Sequence, residues 1–268
     1  MSTSVSFLDV LAPDYWPAFA LVSARVGGLL IVAPVWSMRA VPRTIRGAFA
    51  VVLTMVLLPT VSPPMLPADV LMLPILLGSE LLLGVAIGLT AALFVYAAQV
   101  AAEVIAVQMG LSIASLLMPT ASGSPPGIAE LQHLMALAIY VTLGGHLLLI
   151  QGLSNSLQVI KPGVVIDLAK GGSTLVAVVG GLFPTAVRVA APVMVALVLT
   201  NIALAILGKA VPQLNILMLA FPITIGVGLV VFGAALPFLG SLVVEWVESI
   251  PSMLEGMTDA FAPVTVGG

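Results

Sequence analysis

The chain contains no cysteine and very few charged side chains. Its 268 residues include eight Lys and Arg and eleven Asp and Glu, so charged residues make up 7% of the sequence. The absence of cysteine excludes disulfides, thiolate metal sites and cysteine nucleophiles. Ordinary soluble domains carry about a quarter charged residues, and so small a charged fraction cannot cover the surface of a soluble globule. The composition therefore argues against a water-soluble enzyme.

Histidine and basic residues are also scarce. His133 and His146 are the only two histidines, and a metal site built on them would need distant carboxylates, so we predict no metal and no other cofactor. A net charge of −3 gives no basic face for nucleic acid, which is not an expected partner. No Lys or Arg precedes Arg25, and no cleavage-like site follows a short apolar run, so we expect no cleavable signal peptide.

Apolar residues dominate instead, at 61% of the chain with a mean hydropathy of +1.26. A bilayer core about 30 Å thick needs about 20 helical residues. The first, second, fourth and sixth apolar stretches have suitable lengths, whereas the third and fifth would reach ~50 Å as straight helices. Each of these two is a bent or broken helix, a hairpin, or a helix that projects beyond the lipid. The sequence predicts an all-α, polytopic membrane protein with long, broken or hairpin helices. The six stretches are residues 17–36, 45–61, 70–102, 128–153, 173–207 and 214–242.

The positive charges give a mixed topology signal. Arg39, Arg43 and Arg46 lie between the first two apolar stretches, and the positive-inside rule places that loop in the cytoplasm. Simple alternation then places Lys161 and Lys170 outside, against the same rule. Either one long stretch is a re-entrant hairpin, or the protein is not a plain lipid-embedded bundle.

Four charged residues lie within or at the end of apolar stretches: Arg25, Glu80, Glu103 and Arg188. A charge in hydrocarbon costs about 2.5–3.5 kcal/mol on insertion scales, so it normally faces protein or water. One interpretation is pairing inside the bundle or contacts between subunits, for instance of either arginine with either glutamate. The other is a proton or substrate relay in a transporter. Because the two glutamates lie far apart in sequence, we favour the first.

The stretch from Gln108 to Gly127, QMGLSIASLLMPTASGSPPG, changes from an apolar helix pattern to a run of Ser, Gly and Pro after Met118. Irregular backbone at membrane depth persists only where it is buried in protein or lines a water-filled cavity. This stretch is either an ordinary surface loop or a loop that lines or closes a pathway.

Four sequence blocks together resemble one family. Residues 24–59 carry an arginine, an apolar run ending in Ala-Pro, and a Pro-Arg-x-x-Arg turn. Residues 101–119 contain Glu-x-x-x-x-Gln-x-Gly, residues 143–150 contain Gly-His before apolar residues, and residues 211–229 contain Pro-Gln-x-Asn and a later proline. In this order, over nearly the whole chain, the blocks are similar to the FliR family, called SctT in injectisomes.

The resemblance implies a structural and gating subunit of the bacterial flagellar type III protein-export channel, in the inner membrane and the flagellar basal body. The implied partners are FliP-like, FliQ-like and FlhB-like subunits, unfolded export substrates and the lipid bilayer. Residues 1–165 would form a FliP-like helical part with a plug loop at 108–124. Residues 166–268 would form a FliQ-like helical hairpin and C-terminal tail of the same integrated unit. Such a subunit performs no chemistry, so we expect no enzyme.

The resemblance also implies two sets of site residues. The pore or plug set is Met109, Gly110, Leu111, Ser112, Ile113, Ala114, Ser115, Leu116 and Met118. The set for subunit contacts or internal pairing is Arg25, Arg43, Arg46, Glu80, Glu103, His146, Arg188, Pro212, Gln213 and Asn215. The chain departs from the family where Ala102 and Ala106 replace the usual glycines, and where Met118 replaces the usual aspartate before Pro119.

Three alternatives remain beside this interpretation. An injectisome export-gate subunit would share the same blocks. A small secondary transporter would show a pair of interrupted helices repeated in two halves, and no such internal repeat is visible. An intramembrane enzyme would need a cysteine, an HExxH motif or paired membrane aspartates, all of which the sequence lacks.

Overall fold

A computed structural model describes residues 15–38, 40–61, 72–111, 127–211, 213 and 216–263 of the chain. Over these residues every regular element is a helix and no strand occurs, which confirms the predicted all-α class. The helices are α1 (Trp16–Val32), α2 (Arg43–Leu57), a 3-10 turn (Leu58–Thr60), α3 (Leu73–Gln108), α4 (Ile128–Thr142), α5 (Gly145–Val159), α6 (Leu168–Gly180), α7 (Leu182–Ala210) and α8 (Ile216–Phe261).

Several of these helices are long and apolar enough to cross a membrane. Within the described residues, four stretches pass on length and hydropathy: Arg43–Thr60, Leu73–Gln108, Leu168–Ala210 and Met218–Phe261. The bent pair α4–α5 makes a fifth if it is counted as one span. The chain is therefore a polytopic membrane protein, as its composition predicts.

The third and fifth apolar stretches, which are too long for one straight span, fold differently. The third is one uninterrupted helix, α3, whose 36 residues reach ~54 Å. The fifth is divided at Gly181 into α6 and α7. A helix as long as α3 must tilt strongly or extend beyond the hydrocarbon, so of the alternatives that the sequence left open, the hairpin does not apply to it.

The fourth apolar stretch is not the single straight span expected from its length. It bends by 63° between α4 and α5, where Gly144 adopts a φ of +74°. That left-handed conformation is accessible to glycine at little cost and interrupts the helical path. Hydropathy alone missed the bend, because the glycine lies inside a continuous apolar run.

The sixth stretch is longer than its apolar core suggested. The helix α8 continues for 46 residues, well past residue 242. Its last turns are amphipathic: Ile250, Leu254 and Met257 are buried, whereas Glu255 and Asp259 are exposed. One apolar face at helical spacing is enough to continue the helix, so the predicted end was wrong.

By packing, the chain divides into two compact units that alternate along the sequence. The first combines residues 1–93, 144–179 and 248–268, and the second combines residues 94–143 and 180–247. The predicted boundary between FliP-like and FliQ-like parts, at residues 165 and 166, concerns family resemblance and stays a prediction. A core of the first unit consists of Leu83, Ala86, Ile160, Ile166, Met257 and Phe261.

Within the second unit, α7 and the part of α8 up to residue 247 form a helical hairpin. Arg188, near the start of α7, reaches Glu245 of α8. Val189 lines a small cavity together with Leu239 and Val243. Arg188 and Val189 lie far before the end of α7, and their partners lie at a comparable distance after the start of α8, so the two helices run antiparallel.

Candidate functional site

The first unit contains a fully buried arginine. Arg25 lies in α1 with 0% of its side chain exposed, and Glu80 of α3 is 1% exposed. The Arg25 Nε donates to Oε2 of Glu80 at 2.6 Å. The remaining guanidinium nitrogens donate to the carbonyl oxygens of Ser156 at 2.9 Å and Ile160 at 3.0 Å. The arginine thus joins α1, α3 and the end of α5.

The carbonyl oxygen of Ile160 lies just beyond α5, whereas that of Ser156 accepts from the backbone N–H of Ile160 at 2.9 Å as well as from Arg25. The last carbonyls of a helix have no intrahelical donors, and a cation near a helix C-terminus is favoured by the helix dipole. The second carboxylate oxygen of Glu80 accepts from the backbone N–H of Gly163 at 3.1 Å. Because a guanidinium does not release its proton in proteins, this cluster is suited to holding helices together rather than to a proton relay.

Two glycines allow α1 and α3 to approach closely enough for that pair. A Cβ at Gly84 would overlap the carbonyl oxygen of Arg25, and a Cβ at Gly28 would overlap the carbonyl oxygen of Leu81. The backbones of the two helices are therefore in direct contact. Small residues at such crossings are typical of helix packing in membranes.

The end of α3 is held within the second unit. Met109 is fully buried, and its carbonyl oxygen accepts a hydrogen bond from Oγ1 of Thr224 at 3.3 Å. Gly110 follows with a φ of +81°, and Leu111 is half-buried. The other predicted plug residues lie outside the described part of the chain: Ser112, Ile113, Ala114, Ser115, Leu116 and Met118.

The predicted contact residues of the Arg-rich turn lie at the start of α2. Arg43 is exposed, and Arg46 is half-buried, with Nη2 donating to the carbonyl oxygen of Met38 at 3.3 Å. His146 is half-buried in the first turn of α5. Their roles in subunit contact stay predictions.

The other charged candidates are not brought together with the Arg25 cluster. Glu103 is exposed on α3 and accepts a hydrogen bond from Gln99 at 3.1 Å. Arg188 pairs with Glu245, which the sequence did not single out, at 3.4 Å. Gln213 lies in an exposed turn, whereas Pro212 and Asn215 fall outside the described residues.

Sequence reasoning missed the groups that complete these sites. Backbone carbonyls and amides, such as those of Ile160 and Gly163, carry no sequence signal. Phe221, Thr224 and Gly228 do carry one, since a spacing of three and then four residues places them on one helix face. In the described part of the chain, no group of three or more His, Asp or Glu side chains is placed to hold a metal.

Known proteins give the same picture as the sequence blocks. Residues 16–250 match the family described as "Bacterial export proteins, family 1". The chain is 29% identical over 244 residues to the "Flagellar biosynthetic protein FliR" of Escherichia coli (strain K12), covering 88% of this chain and 89% of that protein. It is 32% identical over 225 residues to the protein of that name from Bacillus subtilis (strain 168), covering 81% and 85%. A third, from Caulobacter vibrioides, is 27% identical over 246 residues, covering 89% and 95%.

Proposed function

The chain belongs to the FliR/SctT family of bacterial export proteins, and we propose that it is a structural and gating subunit of a flagellar type III export channel. In this proposal it assembles in the inner membrane with FliP-like, FliQ-like and FlhB-like subunits, and unfolded substrates pass through the resulting pore. The subunit performs no chemistry itself. The flagellar names of the three relatives favour a flagellar over an injectisome system.

One observation carries the need for partner subunits: α8 and the α6–α7 stretch leave most of their apolar residues uncovered, whereas α3 does not. In α3, 72% of the most apolar window is buried, against 28% in the α6–α7 stretch and 33% in α8. Lipid hydrocarbon covers only about 30 Å, whereas the 46 residues of α8 extend ~69 Å. Lipid alone therefore cannot cover the exposed apolar face of α8, and neighbouring protein subunits would.

A gating role is supported by the chemistry of the segment after α3. Residues 111–124 contain no ionisable side chain. Closure by this segment would therefore depend on bulk and apolar contact, and Met109 and Gly110 would mark its fixed end. A secondary transporter would instead need charged or polar groups facing a pathway, but the buried charges Arg25 and Glu80 neutralise each other.

Deletion of residues 111–116 tests the gate. We expect the complex to remain assembled but to leak, which conductance and small-solute sensitivity of cells would measure, with co-purification of the FliP-like and FliQ-like subunits as the assembly check. A Ser112→Ala/Ser115→Ala variant keeps the apolar bulk and should stay tight. An assembled complex that stays tight after the deletion would refute the plug assignment.

Expression without partners tests the assembly. We expect aggregation or degradation, because the uncovered faces of α7 and α8 have no neighbours. A monodisperse, functional protein purified alone would contradict the proposal and would favour a transporter.

A further inference from the structure

We infer that Phe221, Thr224 and Gly228 of α8 form an anchor that fixes Met109 and Gly110, the end of α3. All five residues belong to the second compact unit. The three residues on α8 are positioning residues: they determine where the chain leaves α3 and enters the following segment. The effect of this anchor on permeability rests on the proposed gating function. The anchor itself is argued from the geometry of the described residues alone.

The first contact is between Met109 and Gly228. A Cβ at Gly228 would lie 2.7 Å from Cγ and Cε of Met109 and 2.8 Å from its sulfur. An added Cβ would force the thioether of Met109 to shift, although Met109 is fully buried there. The flexible methionine fills the space that the missing side chain leaves.

The second contact is a hydrogen bond between helices. Oγ1 of Thr224 lies 3.3 Å from the carbonyl oxygen of Met109, and its single proton is shared among that carbonyl and those of Ala220 at 2.9 Å and Phe221 at 3.2 Å. The Met109 carbonyl belongs to the end of α3, where carbonyls lack intrahelical donors. The threonine therefore offers the buried carbonyl of Met109 a polar partner on α8.

The third contact involves Gly110, which ends the helix in the left-handed conformation with a φ of +81°. This is the usual way in which a glycine terminates a helix. A Cβ at this position would also lie 2.9 Å from two ring carbons of Phe221. Both the backbone conformation and the ring thus require glycine, so the path of the chain turns at a fixed point.

The anchor predicts an effect of α8 on the gate across 115 residues of sequence. If α8 fixes the end of α3, a substitution on the face of α8 that contacts Met109 will misplace the following segment even where partner subunits still bind. A substitution on the opposite face of α8 will leave that segment in place. Gly226 provides the matched control, since a Cβ there meets nothing within 4 Å.

The test compares Gly228→Ala with Gly226→Ala in cells that carry the complete export gate. Overpacking at Gly228 should raise small-solute permeability about tenfold, with co-purification of partner subunits unchanged. Gly226→Ala should match the unaltered protein. Adding Met109→Ala to Gly228→Ala removes the overlapping atoms and should restore part of the tightness. Equal permeability in Gly228→Ala and Gly226→Ala would overturn the inference.

A disulfide measures the contact independently of permeability. Because the chain has no cysteine, Met109→Cys/Gly228→Cys can cross-link on a clean background, and Met109→Cys/Gly226→Cys is the control. We expect cross-linking in the first pair only, because only Gly228 lies against Met109. Absence of the cross-link in the first pair, or equal cross-linking in both pairs, would overturn the anchor.

The two proposals fail separately. If deletion of residues 111–116 leaks but Gly228→Ala does not, the anchor is wrong and the gate stands. If the deletion stays tight, the proposed gate fails, and the cross-link still decides whether the end of α3 is anchored.

Discussion

Two Arg–Glu pairs connect apolar helices in this protein, and they differ in distance, burial and hydrogen bonding. In the first unit, Arg25 and Glu80 are 2.6 Å apart with 0% and 1% of their side chains exposed. In the second, Arg188 and Glu245 are 3.4 Å apart with 62% and 65% exposed. The buried pair is completed by backbone groups, whereas the exposed pair is open to solvent. The contribution of a charged pair to the stability of apolar helices can therefore be inferred only when the burial and hydrogen bonds of both side chains are known.

The physical difference lies in desolvation. Burying two charges costs several kcal/mol per ion, which close pairing and further hydrogen bonds must offset, and removal of one partner leaves the other uncompensated. An exposed pair loses little water and gains little, with measured values of about 0–1 kcal/mol. Substitutions in the two pairs should thus differ severalfold in effect.

The largest effect should follow Glu80→Ala. It leaves the buried guanidinium of Arg25 without its counter-charge, so we expect the free energy of unfolding to fall by about 3–5 kcal/mol. Thermal unfolding in detergent and the steady-state amount in membranes would measure this. Glu103→Ala, on an exposed face of the same helix, should change little. An Arg25→Met/Glu80→Leu variant should be more stable than Glu80→Ala. Equal losses in the free energy of unfolding for Glu80→Ala and Glu103→Ala would contradict the expectation that the buried carboxylate contributes more than the exposed one.

A smaller effect is expected from the glycine that brings the buried pair together. Gly84→Ala inserts a methyl group against the Arg25 carbonyl, and overpacking typically costs about 1–3 kcal/mol. Gly78→Ala, where a Cβ meets nothing within 4 Å, should instead stabilise α3 by up to ~1 kcal/mol through helix propensity. Thermal unfolding should therefore shift in opposite directions. A shift in the same direction would contradict direct contact between the backbones of α1 and α3.

The smallest effect belongs to the exposed pair. Glu245→Gln should lower the free energy of unfolding by less than ~1 kcal/mol, and less at high salt. Glu248→Gln, also exposed on α8 and outside any ion pair in the described part of the chain, is the matched control. A loss as large as that for Glu80→Ala would mean that Arg188 and Glu245 are buried by a neighbour in the assembled complex.

The sequence was sufficient for the fold class and for three of the four charged residues that form pairs, all except Glu245. Scarcity of charge required a membrane environment, and Arg25 and Glu80 were recognised because charges are costly in apolar segments. Which arginine pairs with which glutamate could not be predicted. The choice depends on Gly28 and Gly84, which permit one particular helix crossing, and on Ile160, whose contribution is a backbone carbonyl.

The remaining differences have similar local causes. The bend at Gly144 has no hydropathy signal, since both sides are apolar. The extension of α8 was missed because its acidic residues lower the hydropathy, although Ile250, Leu254 and Met257 keep a helical spacing that is visible in the sequence. The contact of Gly228 with Met109 joins residues far apart in the chain and requires the folded arrangement.

The buried Arg25 cluster has a consequence for the order of events during biosynthesis. Arg25 is made 55 residues before Glu80 and 131 residues before Ser156. At ~5–20 residues per second, the arginine waits roughly 3–11 s for its counter-charge and roughly 7–26 s for the first of its carbonyls. During that interval Arg25 is without its counter-charge, so the free energy of inserting α1 into the membrane is less favourable than its apolar residues suggest. The native contacts of α1, the first helix among the described residues, are therefore completed only after α3 and α5 have been made.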